Sequence, residues 1–263
     1  MNLAFCISKK DLGLFVCCLQ SVISHGGYEH YDVYVLESFL DENMKKALCN
    51  DFGKFITFHF ISDCENLFAD CPEAGHYPKE MFLRAALPLL LPVEMERVLY
   101  LDINTVVINS LKELYEIDFD GNAYAGCTHA LPFAADFDHA TAKHGSKQHP
   151  VEPGVLLINL PIVRQSLRMD RINDYAKNFP RFLPKEHILT DLWGNRVKLL
   201  DAVIYNLSDH VLNVHNTKHR REQIDLPWVR KNTVIVNYCD KDRPWGSGYS
   251  GKLGVFYQEL LPR

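Results

Sequence analysis

The chain has 263 residues, of which 47% are hydrophobic and 23% are charged, and its formal net charge is -5. This is the composition of a globular protein that is long enough to bury a substantial core. We expect residues 1–263 to form a single domain. The acidic balance and the lack of a dense Lys/Arg stripe argue against a nucleic-acid partner.

The first residues, MNLAFCISKKDLGLFV, lack the pattern of a signal peptide, because polar residues interrupt the apolar run. No apolar run approaches the roughly 20 residues that a membrane helix needs. Eight cysteines without a secretory signal or a CxxC pair predict reduced thiols, not a disulfide framework or a zinc site of that type. We therefore expect a cytoplasmic protein with no transmembrane segment.

Short apolar runs alternate with stretches of helical spacing in the first half of the chain. The runs are typical of buried parallel strands and cover residues 3–7, 31–38, 55–61 and 97–102. The helical stretches between them cover residues 14–24, 41–52 and 78–91. The second half continues with predicted strands at residues 154–160, 196–201 and 234–239, and with helices at about 161–179 and 183–193.

This order predicts an α/β fold with a mainly parallel central sheet, helices on both of its faces, and ligands at the carboxyl ends of the strands. Residues 131–150 are polar, rich in histidine and weakly periodic. A loop of that length inside a domain is typical of a lid or a binding loop.

Asp102 and Asn104 directly follow the predicted central strand. Residues two apart in an extended chain point the same way, so both side chains could reach one Mg²⁺ or Mn²⁺ ion. A nucleoside diphosphate would supply the remaining oxygen ligands. The alternative is local: Asp102 caps the following turn and Asn104 forms an Asx-turn. The spacing alone does not decide between them.

Several blocks of the sequence resemble, in order, the signature blocks of family 8 retaining glycosyltransferases. These blocks are LAFCISKK, FLRAALPLLLP, VLYLDIN, LKELYEIDF, PGVLLINL, ILTDLWGNRVKLLD, YNL and NYCDKDRPW. The resemblance spans about residues 3–245. It implies a GT-A fold, a nucleotide-sugar donor with UDP favoured, and transfer with retention of the anomeric configuration. The acceptor, whether carbohydrate, lipid-linked or protein, is left open, and we expect its contacts in residues 131–150 and 210–228.

The metal-binding residues of the family carry over only in part. Its Asp-x-Asp motif falls on Asp102-Ile103-Asn104, and its metal-binding histidine falls on Asn237. A glycine that contacts the diphosphate falls on Asp240. The resemblance therefore implies a divalent-metal site that is weakened or absent, because amides replace a carboxylate and an imidazole, and Asp240 adds negative charge beside the phosphates.

The remaining donor-site residues are a mixture of matches and departures. Arg84 matches the donor-site arginine, with an ion pair to Glu80 as its alternative role. The lysine before Pro-Trp falls on Arg243, and the residues that receive the donor base fall on Ser8 and Asp11. His129 takes the place of an aspartate that contacts the donor sugar.

Two carboxylates stand where the family has neutral amides. Glu152 replaces an asparagine, and Glu186 replaces the residue nearest the anomeric carbon. A carboxylate there can act as a nucleophile or stabilise an oxocarbenium-like state. For Glu186 the alternative is a helix start, where negative charge is favourable.

Two functions follow from this mixture. In the first, an active glycosyltransferase neutralises the donor phosphates with cations such as Lys9, Lys10, Lys185 and Arg243 in place of a metal. In the second, the chain is an inactive binding or regulatory module on the same fold. A sugar-phosphate nucleotidyltransferase is a weaker alternative, because SKKDLG is not a Gly-rich phosphate loop.

Overall fold

The computed structural model describes residues 1–62, 64–68, 80–129, 151–178 and 187–261. The strands in this part of the chain are β1 (Asn2–Cys6), β2 (Tyr31–Leu36), β3 (Ile56–Ile61), β4 (Arg97–Leu101), β5 (Thr105–Val107), β6 (Tyr124–Gly126), β7 (Val155–Asn159), β8 (Val197–Leu199) and β9 (Ile235–Asn237). Residues 131–150, the predicted long loop, lie outside the described residues.

The α-helices of the described part are α1 (Leu12–His25), α2 (Glu42–Phe52), α3 (Glu80–Leu90), α4 (Lys112–Tyr115), α5 (Leu160–Ser166), α6 (Met169–Lys177), α7 (His187–Trp193), α8 (Ala202–Tyr205), α9 (Asp209–Lys218), α10 (Leu226–Asn232) and α11 (Gly254–Gln258). Short 3₁₀ helices span Lys9–Asp11 and Cys64–Phe68. None of the helices among the described residues is long and apolar enough to cross a bilayer.

Seven strands form the central sheet in the order β3-β2-β1-β4-β7-β6-β8. Its pairs are parallel except those made by β7, which runs antiparallel to both β4 and β6. The prediction of a mainly parallel sheet is confirmed. The predicted strand at residues 234–239 is shorter and lies outside this sheet, because β9 pairs with β5 in a separate antiparallel ribbon.

Helices pack on both faces of the sheet, as predicted. Successive side chains of a strand point to opposite faces, and the apolar residues divide accordingly. On β4, Val98 and Tyr100 contribute to one buried cluster together with α3, α5, α6 and α7. Leu99 and Leu101 contribute to the other cluster together with α1 and α2. Both faces of β4 are therefore buried, which explains why residues 98–101 carry no charge.

The predicted helix at residues 161–179 is two helices. Leu167 and Arg168 between α5 and α6 have extended backbone conformations. Leu167 is fully buried, and its carboxyl-side neighbour α6 packs against α3. Arg164 fixes α5 by donating hydrogen bonds to five backbone carbonyls, those of Pro88, Leu91, Pro92, Val93 and Met95. The chain therefore leaves the helical conformation at Leu167, where this side chain enters the core.

Candidate functional site

Asp102 lies at the carboxyl end of β4, an inner strand of the sheet, as the sequence predicts. Its Oδ1 accepts hydrogen bonds from Arg84 Nη2 and from the Tyr100 hydroxyl, both at 2.6 Å. The Arg84 guanidinium also lies 4.8 Å from the centre of the Tyr100 ring. Asp102 therefore makes a long-range ion pair with α3, so its role is not confined to the following turn.

The side chain of Arg84, which pairs with Asp102, is only 12% exposed. Burial opposes its charge, but Asp102 raises the pKa of Arg84 above its ordinary value. Burial also raises the pKa of Tyr100 well above its ordinary value and that of Cys6 to about 12. Both neighbours thus stay neutral. The ion pair is made with Asp102; the side chain of Glu80, the alternative partner, is outside the described residues.

A buried network of amides and one carboxylate lies beside Asp102. Asn237 Nδ2 donates to Glu152 Oε2 at 2.9 Å and to Asn206 Oδ1 at 2.8 Å. Asn206 Nδ2 also donates to Glu152 Oε2 at 3.1 Å. Glu152, Asn206 and Asn237 are at most 5% exposed. Each amide has a partner of the correct polarity, so the contacts fix the orientation of Asn237.

Asn104 joins the network through the pairing of β5 with β9. Thr105 lies opposite Asn237 in this ribbon, which brings Asn104 to the same end. Asn104 Nδ2 donates to Asn237 Oδ1 at 3.2 Å. The two residues that fall on metal-binding positions of the family therefore bond to each other.

Gly154 holds the two halves of the site together. Its N–H donates to Glu152 Oε2 at 2.8 Å, and its carbonyl accepts from the Asp102 N–H at 2.8 Å. A Cβ atom at Gly154 would lie 2.7 Å from Asn237 Nδ2, 2.9 Å from Glu152 Oε2 and 3.2 Å from Asp102 Oδ2. Only glycine leaves room for these three polar groups to converge.

His129 and Asp240 border the network on the side of β9. His129 Nε2 lies 2.7 Å from the Asn206 carbonyl oxygen, so this nitrogen carries the proton. His129 Nδ1 faces Cys239 Sγ at 3.6 Å. Asp240 Oδ2 accepts from the His210 N–H, in the first turn of α9, at 3.0 Å. The helix terminus therefore compensates part of the Asp240 charge.

The remaining predicted donor contacts lie at the ends of β1 and β9. The Ser8 hydroxyl donates to the Asp11 carboxylate across the 3₁₀ turn that follows β1. Lys9 and Lys10 are exposed on that turn. Arg243 is exposed, and its guanidinium lies 5.7 Å from the Trp245 ring centre. Glu186, a predicted catalytic residue, and Lys185 lie outside the described residues.

Comparison with known proteins decides the family. The sequence profile of glycosyl transferase family 8 matches residues 2–248. The chain belongs to glycosyl transferase family 8. It is 22% identical over 249 residues to general stress protein A of Bacillus subtilis, covering 89% of this chain and 82% of that protein. It is also 22% identical to the lipopolysaccharide 1,3-galactosyltransferase of Salmonella typhimurium, covering 94% of this chain and 73% of that protein.

A crystal structure of the galactosyltransferase LgtC in complex with donor and acceptor sugar analogs has the same fold. It superposes with a TM-score of 0.74 at 20% sequence identity, over 99% of this chain and 95% of that one. The predicted GT-A-type fold and the assignment to the glycosyltransferases are thereby confirmed. Family 8 implies a nucleotide-sugar donor and usually a divalent metal.

The side chains of this family 8 member do not fit a tightly held hard cation. Asn237 Oδ1 faces the Asn104 amide, and Asp102 Oδ1 is already compensated by Arg84. No cluster of three or more His, Cys, Asp or Glu suited to a metal occurs in the described ranges. A cation here would break the Asn104–Asn237 hydrogen bond and gain only one carboxylate, which Arg84 already neutralises.

Two members of the site, Tyr100 and Asn206, are not among the residues predicted from the sequence. Tyr100 precedes Asp102 by two residues on the same extended stretch, so period-2 alternation could have placed both on one face. Asn206 occurs in the YNL block but was given no role. It follows α8, whose amino end Asp201 caps by accepting from the Val203 N–H at 2.8 Å. That capping signal was visible in the sequence.

Proposed function

We propose that this family 8 protein transfers a sugar, with retention, from a nucleotide-sugar donor that lies at the carboxyl end of β4. The observation that carries the proposal is the Arg84–Asp102 pair at 2.6 Å, a buried guanidinium held at a sheet edge. Arg84 Nε is buried and has no hydrogen-bond partner among the described residues. Leaving such a donor unpaired costs about 1–3 kcal/mol, so the position of this side chain calls for an explanation beyond stability.

In the proposed donor complex, cationic side chains take over charge compensation from a metal. Lys9, Lys10 and Arg243 are exposed at the ends of β1 and β9 and are available to the diphosphate. Their role would be to stabilise the leaving group when the bond between the sugar and the phosphate oxygen breaks. Ser8 and Asp11 are the proposed contacts of the donor base, and UDP-sugars are the first donors to test.

We propose that Glu152, predicted from the sequence as a catalytic residue, has a positioning role instead. Its Oε2 accepts from Gly154 N, Asn206 Nδ2 and Asn237 Nδ2, so this oxygen is committed to structure. We propose that Glu152 orients Asn237 toward Asn104, with His129 and Asp240 beside the donor sugar and phosphates. Glu186 stays the predicted residue nearest the anomeric carbon. The whole chain, 1–263, is taken as one glycosyltransferase domain.

A donor-hydrolysis screen tests the function. We expect one nucleotide sugar among UDP-, GDP- and CMP-sugars to be hydrolysed slowly, both with Mn²⁺ or Mg²⁺ and with EDTA. Asp102→Asn is the loss-of-function variant, since it removes the charge that pairs with Arg84 but keeps the size of the side chain and an oxygen for Tyr100. It should lower the rate by about 100-fold, because Arg84, the proposed donor contact, loses the carboxylate that orients it.

The contrary result is equally clear. If the folded protein neither hydrolyses nor binds any sugar nucleotide under these conditions, the donor site is not functional. The chain would then be a glycosyltransferase-fold binding module.

A further inference from the structure

A compact loop at the end of α9, residues 216–224, presents a run of cationic side chains; we name it the basic loop. Its base is closed by Asn216, which accepts from the Ile224 N–H at 2.7 Å and donates to the Ile224 carbonyl at 2.9 Å. Ile224 is 7% exposed and belongs to a buried cluster. The loop is thus anchored at both ends, while Lys218, Arg220 and Arg221 between them are exposed.

The arginines of this loop differ from the others in the described ranges. Elsewhere, each arginine contacts an acid, a backbone carbonyl or an aromatic ring: Arg84, Arg97, Arg164, Arg168, Arg171, Arg196, Arg230 and Arg243. Arg220 and Arg221 have no such contact with a described residue. An open cleft of about 420 Å³ runs along residues 217–222.

The charge of this loop opposes that of the whole chain. Three permanent positive charges and His219 occupy residues 218–221, whereas the net charge of the protein is -5. No dense basic stripe stands out in the sequence, because the run is only four residues long and is followed by an acid. The loop also contains the exposed carboxylate of Glu222, so the formal charge of residues 216–224 is +2, three cations minus one acid. No ion pair joins these cations to an acid among the described residues, and the loop concentrates positive potential on a protein that is acidic as a whole.

We propose that the basic loop docks the protein on an anionic lipid bilayer. Exposed cations without buried donors around them hold a single phosphate weakly, but a bilayer offers many phosphates at once, and each cation adds to the attraction. Trp228 follows on α10 and is 36% exposed. Exposed tryptophan is favoured at the boundary between water and lipid.

The position of the loop relates the bilayer to the site. Helix α9 has ten residues, hence a length of about 15 Å. Its first turn contacts Asp240 through His210, and its last three residues, 216–218, are the first three of the basic loop. A docked bilayer would lie about one helix length from the donor site. Of the three acceptor classes left open, this position favours the lipid-linked one. That consequence rests on the proposed function, whereas docking on the bilayer is independent of it.

Vesicle flotation of the full chain tests the docking independently of enzyme activity. We expect the protein to float with vesicles of equal parts phosphatidylglycerol and phosphatidylcholine but not with pure phosphatidylcholine. The triple variant Lys218→Gln, Arg220→Gln, Arg221→Gln should bind the anionic vesicles roughly 100-fold more weakly. The control variant Lys46→Gln, Lys54→Gln, Lys177→Gln makes the same charge change on other exposed positions and should bind nearly as the wild type does.

Three results would overturn the proposal. They are equal flotation with neutral vesicles, equal losses in the two triple variants, and tighter binding of a single-stranded RNA that the basic-loop variant abolishes. The last result would assign the loop to nucleic acid. Because none of these readouts needs turnover, a failure here is separate from a failure of the donor screen.

Discussion

Asn237→Asp will lower the free energy of unfolding by about 3–5 kcal/mol, the cost of an unpaired buried charge. Asn237 is 1% exposed, and its amide donates to both Glu152 and Asn206. Aspartate has no hydrogen to donate and would place a second carboxylate within 2.9 Å of Glu152 Oε2. Urea denaturation, with the midpoint and slope fitted separately, measures the loss.

Asn104→Asp is the matched control for that change. It makes the same chemical substitution at a partly exposed position that donates one hydrogen bond, to Asn237 Oδ1. It should cost only about 1 kcal/mol. Equal costs for the two single changes would show that the network does not exist as described.

Arg84→Lys will weaken donor binding by roughly 10- to 100-fold, equivalent to about 1.5–3 kcal/mol for hydrogen bonds made by a charged group. Lysine keeps the charge next to Asp102 but loses the planar fork and the stacking on Tyr100. Calorimetric titration of the donor found in the hydrolysis screen measures the change. Arg84→Ala is less informative, because it also leaves the Asp102 carboxylate without its cation.

Arg97→Lys is the control for Arg84→Lys. Arg97 is the first residue of the same strand, β4. Its guanidinium donates a hydrogen bond to the Tyr115 carbonyl at 2.7 Å and lies 5.1 Å from the centre of the Phe119 ring. It lies at the amino end of the strand, away from Asp102. The Arg97→Lys variant should therefore have a lower free energy of unfolding and an unchanged donor affinity. If both lysine variants bind the donor as the wild type does, Arg84 is a structural residue.

The sheet could be predicted because its inner strands are buried on both faces. Residues 3–7 and 98–101 contain no charged residue and are bounded by polar or charged ones, so their boundaries are visible in the sequence. The direction of β7 could not be predicted, because an apolar strand such as VLLIN reads the same in a parallel or an antiparallel pair. Strand β6 is only Tyr124–Gly126, too short for alternation to be recognised.

The residues of the site could be predicted only in part. Asp102, Asn104 and Asn237 were assigned from family motifs, and the structure brings them together through β4 and the β5–β9 ribbon. Their mutual contacts were not predictable. Whether Asn237 faces a cation or Glu152 depends on a pairing over 85 residues of sequence separation, which no local pattern encodes. The same holds for the ion pair of Arg84 with Asp102.

Donor affinity measured with and without a divalent cation tests the central claim most directly. Calorimetry of the wild type with the donor from the screen, in Mn²⁺ and in EDTA, should give dissociation constants that differ by less than about tenfold, since only one already compensated carboxylate faces the cation. Asn104→Asp adds a carboxylate and should increase this ratio. Donor binding by the wild type that is abolished in EDTA and restored by micromolar Mn²⁺ would contradict the account.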